Sequence, residues 1–175
     1  MKMAKKLLAV VLAGVLALSV LTGCGGAVST KAIAEAMSDT TIAEAMSDKS
    51  KEEGVVYKAV PELDGKAGLI ADLINHPRKE TYIYEEIMDI MGEGYADKYV
   101  WIAATTTKGN DVMTQASNLL EDLEDVDTDG SNINGAVPKG KSPAKVRYIG
   151  TALTTLNGVD YRFAVITAGA VEDKV

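Results

Sequence analysis

The dipeptide Asn157-Gly158 is the feature that most limits how this 175-residue chain can fold, because it lies between two runs of strand-forming residues. Asparagine followed by glycine adopts the positive φ angles of a type I′ turn, which matches the twist of two antiparallel strands. Residues 146–156 and 159–168 are therefore predicted to form a hairpin. Pairing outward from the turn predicts the cross-strand partners: Thr154 with Tyr161, Ala152 with Phe163 and Gly150 with Val165 on one face, and Leu153 with Arg162 and Ile149 with Ile166 on the other.

One residue of this hairpin, Gly150, has no side chain to pack on the sheet. A glycine inside a strand marks either a β-bulge or a place where another backbone approaches closely. The sequence leaves both alternatives open at this position.

Upstream of the hairpin, apolar residues recur first with the period of a helix and then with that of a strand. A run of aromatic and β-branched residues over 99–107, apolar on both faces, predicts a central strand. Helical spacing predicts three helices, over 65–76, from Tyr82 to Met91 and over 111–124. The predicted order is α-α-β-α-β-β, an α+β layered fold for a single domain over residues 54–175.

An identical duplication precedes this domain. The segment Ile33–Asp39 recurs nine residues later as Ile42–Asp48. Two copies are too few for a solenoid, but alanine, glutamate and methionine favour short helices that each Ser-Asp pair can end or cap. We interpret residues 24–53 as a partly helical tether that lengthened by duplication, with a partner-binding helix as the alternative.

The first 23 residues have the pattern of a secretory leader. A basic tip is followed by an apolar run over 7–20, which is 14 residues long and shorter than the roughly 20 that span a bilayer. The next residues, Leu21–Cys24, resemble the lipobox of bacterial lipoproteins. That resemblance implies that residues 1–23 are removed as a signal peptide. It also implies that the sulfur of Cys24 is lipidated and that Cys24 becomes the new N-terminus.

Charge and cysteine content limit the partners of the processed chain. The leader holds three of the 18 basic residues and no acid, which leaves 15 basic against 25 acidic residues, a formal charge of −10. Such a surface repels phosphate backbones and anionic headgroups. Nucleic acid is therefore not an expected partner, and membrane attachment is expected through the lipid alone. Cys24 is the only cysteine, so no disulfide or cysteine metal ligand is predicted.

The segment Asp125–Ser131 resembles the first half of an EF-hand or dockerin calcium loop. At the eighth and twelfth positions the pattern fails, because Asn132 replaces an aliphatic residue and Ala136 replaces the bidentate glutamate. A calcium site here would need further ligands and would be weak, and the alternative is an acidic, solvated helix exit. The resemblance implies four ligands, the carboxylates of Asp125, Asp127 and Asp129 and the backbone carbonyl of Ser131.

Motifs for catalysis are sparse. The chain has one histidine, His76, directly before a proline, which is typical of a helix end. Trp101 lies within the predicted central strand and is interpreted as a core residue. Nucleophile-elbow, zinc-protease and phosphate-loop motifs do not occur in the sequence, so whether the protein is an enzyme stays open, with a non-catalytic role favoured.

A second resemblance concerns the C-terminal third of the chain. Three segments, 131–133, 146–152 and 161–165, look like the C-terminal part of bacterial CAP-superfamily (SCP-like) domains. The histidines and glutamates that line the cavity in that family have no counterparts here. The resemblance therefore implies a binding scaffold rather than a metal-dependent hydrolase.

These features predict a lipoprotein anchored to the extracytoplasmic face of the cell membrane. Its expected role is to bind a protein or ligand of the cell envelope without catalysis. Two alternatives remain from the sequence: an envelope hydrolase or CAP-like domain, and a calcium-stabilised adhesion or assembly module.

Overall fold

The computed structural model describes residues 28–39, 54–76, 83–127, 132–134, 137 and 140–172. These residues form a mixed α+β fold, which confirms the predicted class. The elements in chain order are α1 (Thr30–Met37), β1 (Val56–Ala59), α2 (Pro61–Asn75), α3 (Ile83–Met91), a 3-10 turn (Glu93–Tyr95), β2 (Lys98–Thr106), α4 (Val112–Asp127), β3 (Lys141–Leu156) and β4 (Val159–Glu172).

The hairpin of β3 and β4 is the centre of the sheet. Asn157 and Gly158 have φ angles of 52° and 79°, the positive values that the turn requires. All five predicted cross-strand pairs are present in the observed register, which confirms that prediction. Strand β2 pairs antiparallel with β4 and β1 pairs parallel with β3, so the strand order is β1-β3-β4-β2. The prediction of a central strand over 99–107 is therefore wrong, because β2 is an outer strand. Apolar residues on both of its sides reflect burial of both faces and not two strand partners.

Helices cover both faces of this sheet and produce two apolar cores. Helices α1 and α4 lie on one face, and the buried side chains there include Ile33, Leu119 and Trp101. Helices α2 and α3 lie on the other face, where Ile70 and Val165 are buried. Alternate residues of β2 and β4 therefore enter opposite cores, as expected for strands that are apolar on both sides.

Several boundaries differ from the predicted ones. Strand β3 begins at Lys141 rather than at residue 146, and β4 continues to Glu172 rather than ending at residue 168. Helix α2 begins at Pro61 rather than at residue 65, because proline at the first helical position lacks only an amide that would have no helical partner. Helix α4 continues to Asp127 rather than ending at residue 124. Strand β1 was not predicted, since four residues beside one valine pair carry too little local pattern to indicate a strand.

Helix α1 belongs to the folded domain, although the sequence placed it in the tether. Its side chains Ile33, Ala34, Ala36 and Met37 are buried in the core beside α4. The predicted tether of residues 24–53 is thus corrected for residues 28–39, which extend the domain towards the N-terminus. Periodicity indicated an amphipathic helix, but it could not reveal that a distant part of the chain builds a surface to cover it.

None of the helices in the described part of the chain has both the length and the apolar composition that crossing a membrane requires.

Candidate functional site

A buried arginine on β4, Arg162, donates hydrogen bonds to the N-terminal segment, to α4 and to β3. Arg162 is only 4% exposed. Its Nε donates to Gln115 Oε1 at 2.8 Å, its Nη1 to Thr151 Oγ1 at 2.8 Å and its Nη2 to the carbonyl oxygen of Val28 at 2.7 Å. Burial lowers the pKa of Arg162, and the negative charge of Asp64 acts in the opposite direction. The hydrogen bonds supply the polar contacts that a buried guanidinium needs.

Asp64 extends this cluster to the edge of the sheet. It lies in the first turn of α2, and its Oδ1 accepts from the Thr151 amide and from Thr30 Oγ1, both at 2.8 Å. The hydroxyls of Thr30 and Thr151 are also 2.8 Å apart. The pairing of β1 with β3 ends at Ile149. Beyond that point the carboxylate of Asp64, instead of a strand, accepts from the backbone amide of Thr151. Asp64 and Arg162 are therefore joined through one threonine.

The opposite end of α1 is held by a serine. Ser38 Oγ accepts from the Tyr57 amide at 2.8 Å and lies 2.7 Å from the Ala34 carbonyl oxygen. At the start of the helix, Ser29 Oγ accepts from the Ala32 amide at 3.2 Å as an N-cap. We call the surface of β1, β3 and α4 on which α1 lies, together with Asp64 and Arg162, the α1 seat.

A second buried arginine lies at the other end of the same sheet face. The guanidinium carbon of Arg147 is 5.0 Å from the ring centre of Trp101, and Tyr99 stacks on Trp101 at 5.4 Å. Arg147 Nη1 also lies 3.5 Å from the hydroxyl of Tyr57. Contact between a guanidinium and aromatic faces is favourable when both are removed from water. This environment confirms Trp101 as a core residue.

The predicted calcium ligands are only partly within the described structure. Asp125 and Asp127 lie in the last turns of α4, and their side chains lie outside the described part. Asp129 and Ser131 lie outside it altogether. Among the described residues, no three histidine, cysteine, aspartate or glutamate side chains are grouped so that they could hold a metal. The calcium site therefore stays a prediction.

The loop just after that segment is tied to β2. Asn132 Oδ1 accepts from the Val100 amide at 2.8 Å, and the Val100 carbonyl accepts from the Ile133 amide at 2.9 Å. Asn134 Nδ2 donates to three backbone carbonyls before and at the start of β2. These contacts fix where the chain re-enters the fold after the acidic segment.

His76 has the role that its position before proline indicated. It caps the C-terminus of α2, and its amide donates to the carbonyl of Asp72 at 2.9 Å. Its Nδ1 is 3.3 Å from Asp72 Oδ1, and both side chains are exposed. The histidine therefore belongs to the helix end, as predicted.

The sequence did not reveal the roles of Arg162, Asp64 and Thr30. The predicted register placed Arg162 opposite Leu153 but assigned it no function. The one signal that could have indicated a buried polar cluster is a charged residue, Arg162, between the aromatic residues Tyr161 and Phe163 of a predicted strand.

Comparison with protein-family models, with curated proteins and with solved structures found no match to this chain. The resemblances to the lipobox and to CAP-superfamily domains accordingly stay predictions. The function has to be inferred from the residues and the contacts described above.

Proposed function

We propose that this protein is an extracytoplasmic lipoprotein, anchored by acylated Cys24, whose domain binds another component of the cell envelope without catalysis. The observation that carries the proposal is the position of the lipobox-like segment Leu21–Cys24 directly ahead of a docked N-terminal segment. The leader supplies the route to the membrane, and the acidic processed chain leaves the lipid as the means of attachment.

The contact between Val28 and Arg162 leaves only a short segment of chain between Cys24 and the folded domain. Only residues 25–27 separate Cys24 from Val28, whose carbonyl is bonded to the buried guanidinium. At roughly 3.6 Å per residue, the chain from Cys24 to Val28 spans at most about 14 Å. The domain would thus lie beside the membrane rather than at the end of the tether of residues 24–53 that the sequence predicted. The end of the sheet that carries Arg162 and Leu153 would face the lipid.

Exposed apolar residues at the opposite end of the sheet support a binding role. Helix α2 contacts β3 at Gly150 and Ala152, and three apolar side chains on the β1–β3 side of the described sheet are exposed. Val56, Val146 and Tyr148 there are 41%, 38% and 41% exposed. Val56 and Val146 are direct partners in the parallel pairing, so the three side chains are neighbours. Adjacent exposed apolar side chains of this kind are typical of interaction surfaces.

The proposal is tested by the mass of the protein made in a bacterial host that processes lipoproteins. We expect the full-length gene to yield a chain that lacks residues 1–23, carries a diacylglyceryl group on Cys24 and fractionates with membranes. The matched variant Cys24→Ser should carry no lipid and be released from membranes. A wild-type protein with a free Cys24 thiol and an attached leader would rule the proposal out.

A further inference from the structure

The segment that docks as α1 is present twice in the chain, and the structure describes only its first copy. Residues Ile33–Asp39 supply the buried side of α1 and the serine that contacts β1. Residues Ile42–Asp48 have the same seven amino acids in the same order. We propose that the α1 seat accepts either copy, so that the N-terminal segment has two docking registers nine residues apart.

The apolar contacts of α1 would be kept in the second register. Every side chain of the first copy that enters the core has an identical counterpart in the second copy, so these buried contacts do not change. Val28, which packs against the edge of the same core, would be replaced by Met37. The buried residues of the first copy are Ile33, Ala34, Ala36 and Met37, and their counterparts are Ile42, Ala43, Ala45 and Met46.

Three polar contacts would also be kept. A shift of nine residues places Ser38 at the N-cap position of Ser29, and Ser47 at the position from which Ser38 contacts Tyr57. The bond from Arg162 is to a backbone carbonyl, which any residue can provide. The seat therefore recognises features that both copies share.

A shift of nine residues replaces residues 28, 30, 31 and 32 with Met37, Asp39, Thr40 and Thr41. Of these changes, the one at Thr30 alters a side-chain hydrogen bond with the seat. Thr30 Oγ1 donates to Asp64 Oδ1, and a shift of nine residues replaces Thr30 with Asp39. A second carboxylate beside Asp64 is repelled, because two like charges at this distance in a partly buried site disfavour each other. The first register is therefore preferred, in agreement with the described structure, and Thr30 is the residue that sets the preference.

The chain is long enough for the exchange. In the first register the loop from Ser38 to Tyr57 closes over 19 residues. In the second, the loop would run from Ser47 to Tyr57, and the free energy of closing a loop depends only weakly on its length.

The exchange would change the distance between the domain and the membrane, a consequence that rests on the proposed lipid anchor. Met37 would replace Val28 at Arg162, so the segment between Cys24 and the seat would lengthen by nine residues. At roughly 3.6 Å per residue, its maximum span would rise from about 14 Å to about 47 Å. The two copies would thus provide a close and an extended position of the same domain.

Substitutions that disable one copy at a time test the exchange without reference to lipidation. The proteins are the full chain in mild detergent as wild type, Ile33→Asp, Ile42→Asp and the double variant. The readout is the urea midpoint followed by fluorescence of Trp101, the only tryptophan, which is buried in the core that α1 completes. Aspartate at the buried isoleucine position prevents that copy from docking.

We expect Ile42→Asp to leave the midpoint unchanged and Ile33→Asp to lower it slightly, because the second copy replaces the first. The double variant should show a much larger loss than the sum of the two single losses. If Ile33→Asp alone lowers the midpoint as far as the double variant, or fails to fold, the seat accepts only the first copy and the proposal is wrong.

A cysteine pair measures the register directly in chains that carry Cys24→Ser. Ser47→Cys with Tyr57→Cys should form a disulfide only when the second copy is docked, and Lys51→Cys with Tyr57→Cys is the control for random encounters. Adding Thr30→Asp removes the distinction between the copies and should raise the yield of the Ser47 pair. Equal yields for the two pairs, unaffected by Thr30→Asp, would contradict a second register. These outcomes do not depend on whether Cys24 is acylated in the native protein.

Discussion

Gly150 is the residue at which helix α2 meets the backbone of β3. A Cβ atom at this position would lie 2.1 Å from the carbonyl carbon of Leu63 and 2.4 Å from the amide nitrogen of Asp64. The same approach brings Asp64 within reach of the Thr151 amide. Of the two alternatives that the sequence left open, close packing is therefore correct. The irregularity in β3 lies earlier, between Pro143 and Arg147.

Replacing Gly150 with alanine is expected to lower the free energy of unfolding by about 3 kcal/mol, the upper part of the range for overpacked cores, since rigid backbone must move. The matched control is Gly65→Ala on α2, where nothing lies within 4 Å of the new methyl group. That control should raise the free energy of unfolding by about 1 kcal/mol through helix propensity. Urea denaturation of both variants measures the difference, and a Gly150→Ala protein as stable as wild type would contradict the close approach.

On both outer strands of the sheet, side-chain oxygens accept hydrogen bonds from backbone amides. Ser38 contacts the Tyr57 amide on β1, and Asp122 Oδ2 accepts from the Ala104 amide on β2 at 3.0 Å. Elsewhere on β2, the side-chain oxygen of Asn132 accepts a hydrogen bond from the Val100 amide. Free amides on an outer strand can pair with another chain, so contacts of this kind reduce edge-to-edge association. Helix α4 therefore protects β2 as well as covering its apolar face.

Removal of one such acceptor is expected to expose one backbone amide. In Asp122→Ala, hydrogen exchange of the Ala104 amide should become about fivefold faster, the factor that corresponds to about 1 kcal/mol for one hydrogen bond. Asp122→Asn keeps an amide oxygen at the same place and should remain near the wild-type rate. The neighbouring exposed residue gives a second control, Glu121→Ala, which leaves the Asp122 acceptor in place. Exchange measured by NMR that is equal in all three variants would show that Asp122 does not protect the strand.

The molecule as a whole is joined by Arg162, which connects parts of the chain that are far apart in sequence. Val28 is 134 residues away from it, Gln115 is 47 residues away and Thr151 is 11 residues away. One guanidinium thus holds the N-terminal segment, helix α4 and the hairpin together. Loss of its donors would leave several acceptors without partners in a buried place, which costs more than the loss of an exposed contact.

We expect Arg162→Met, which keeps much of the length but none of the donors, to lower the free energy of unfolding by about 3 kcal/mol. It should also make cleavage between α1 and β1 faster in limited proteolysis, because α1 loses one of its attachments. Lys31→Met removes an exposed charge from the same segment and should change neither measurement. Unchanged stability and cleavage in Arg162→Met would mean that the buried cluster does not hold α1.

Local sequence was enough to predict the hairpin, its register and the type of each larger element. The pairing of Ile149 with Ile166 follows from a two-residue turn, since each pair is set by the one before it. Helical periodicity likewise depends on residues three and four apart. The lipid anchor at Cys24 and the calcium ligands from Asp125 to Ser131 also came from local patterns, and both stay predictions.

Strand β1, the burial of α1 and the cluster around Arg162 were decided by the tertiary structure. Four residues become a strand because β3 offers them a partner, and an isolated short helix is marginal until a surface covers its apolar side. That surface is built by residues of β1, β3 and α4, which follow α1 in the chain by up to more than a hundred positions. Whether a residue is buried depends on contacts with residues that are distant in the sequence. A pattern of a few neighbouring residues does not specify those contacts.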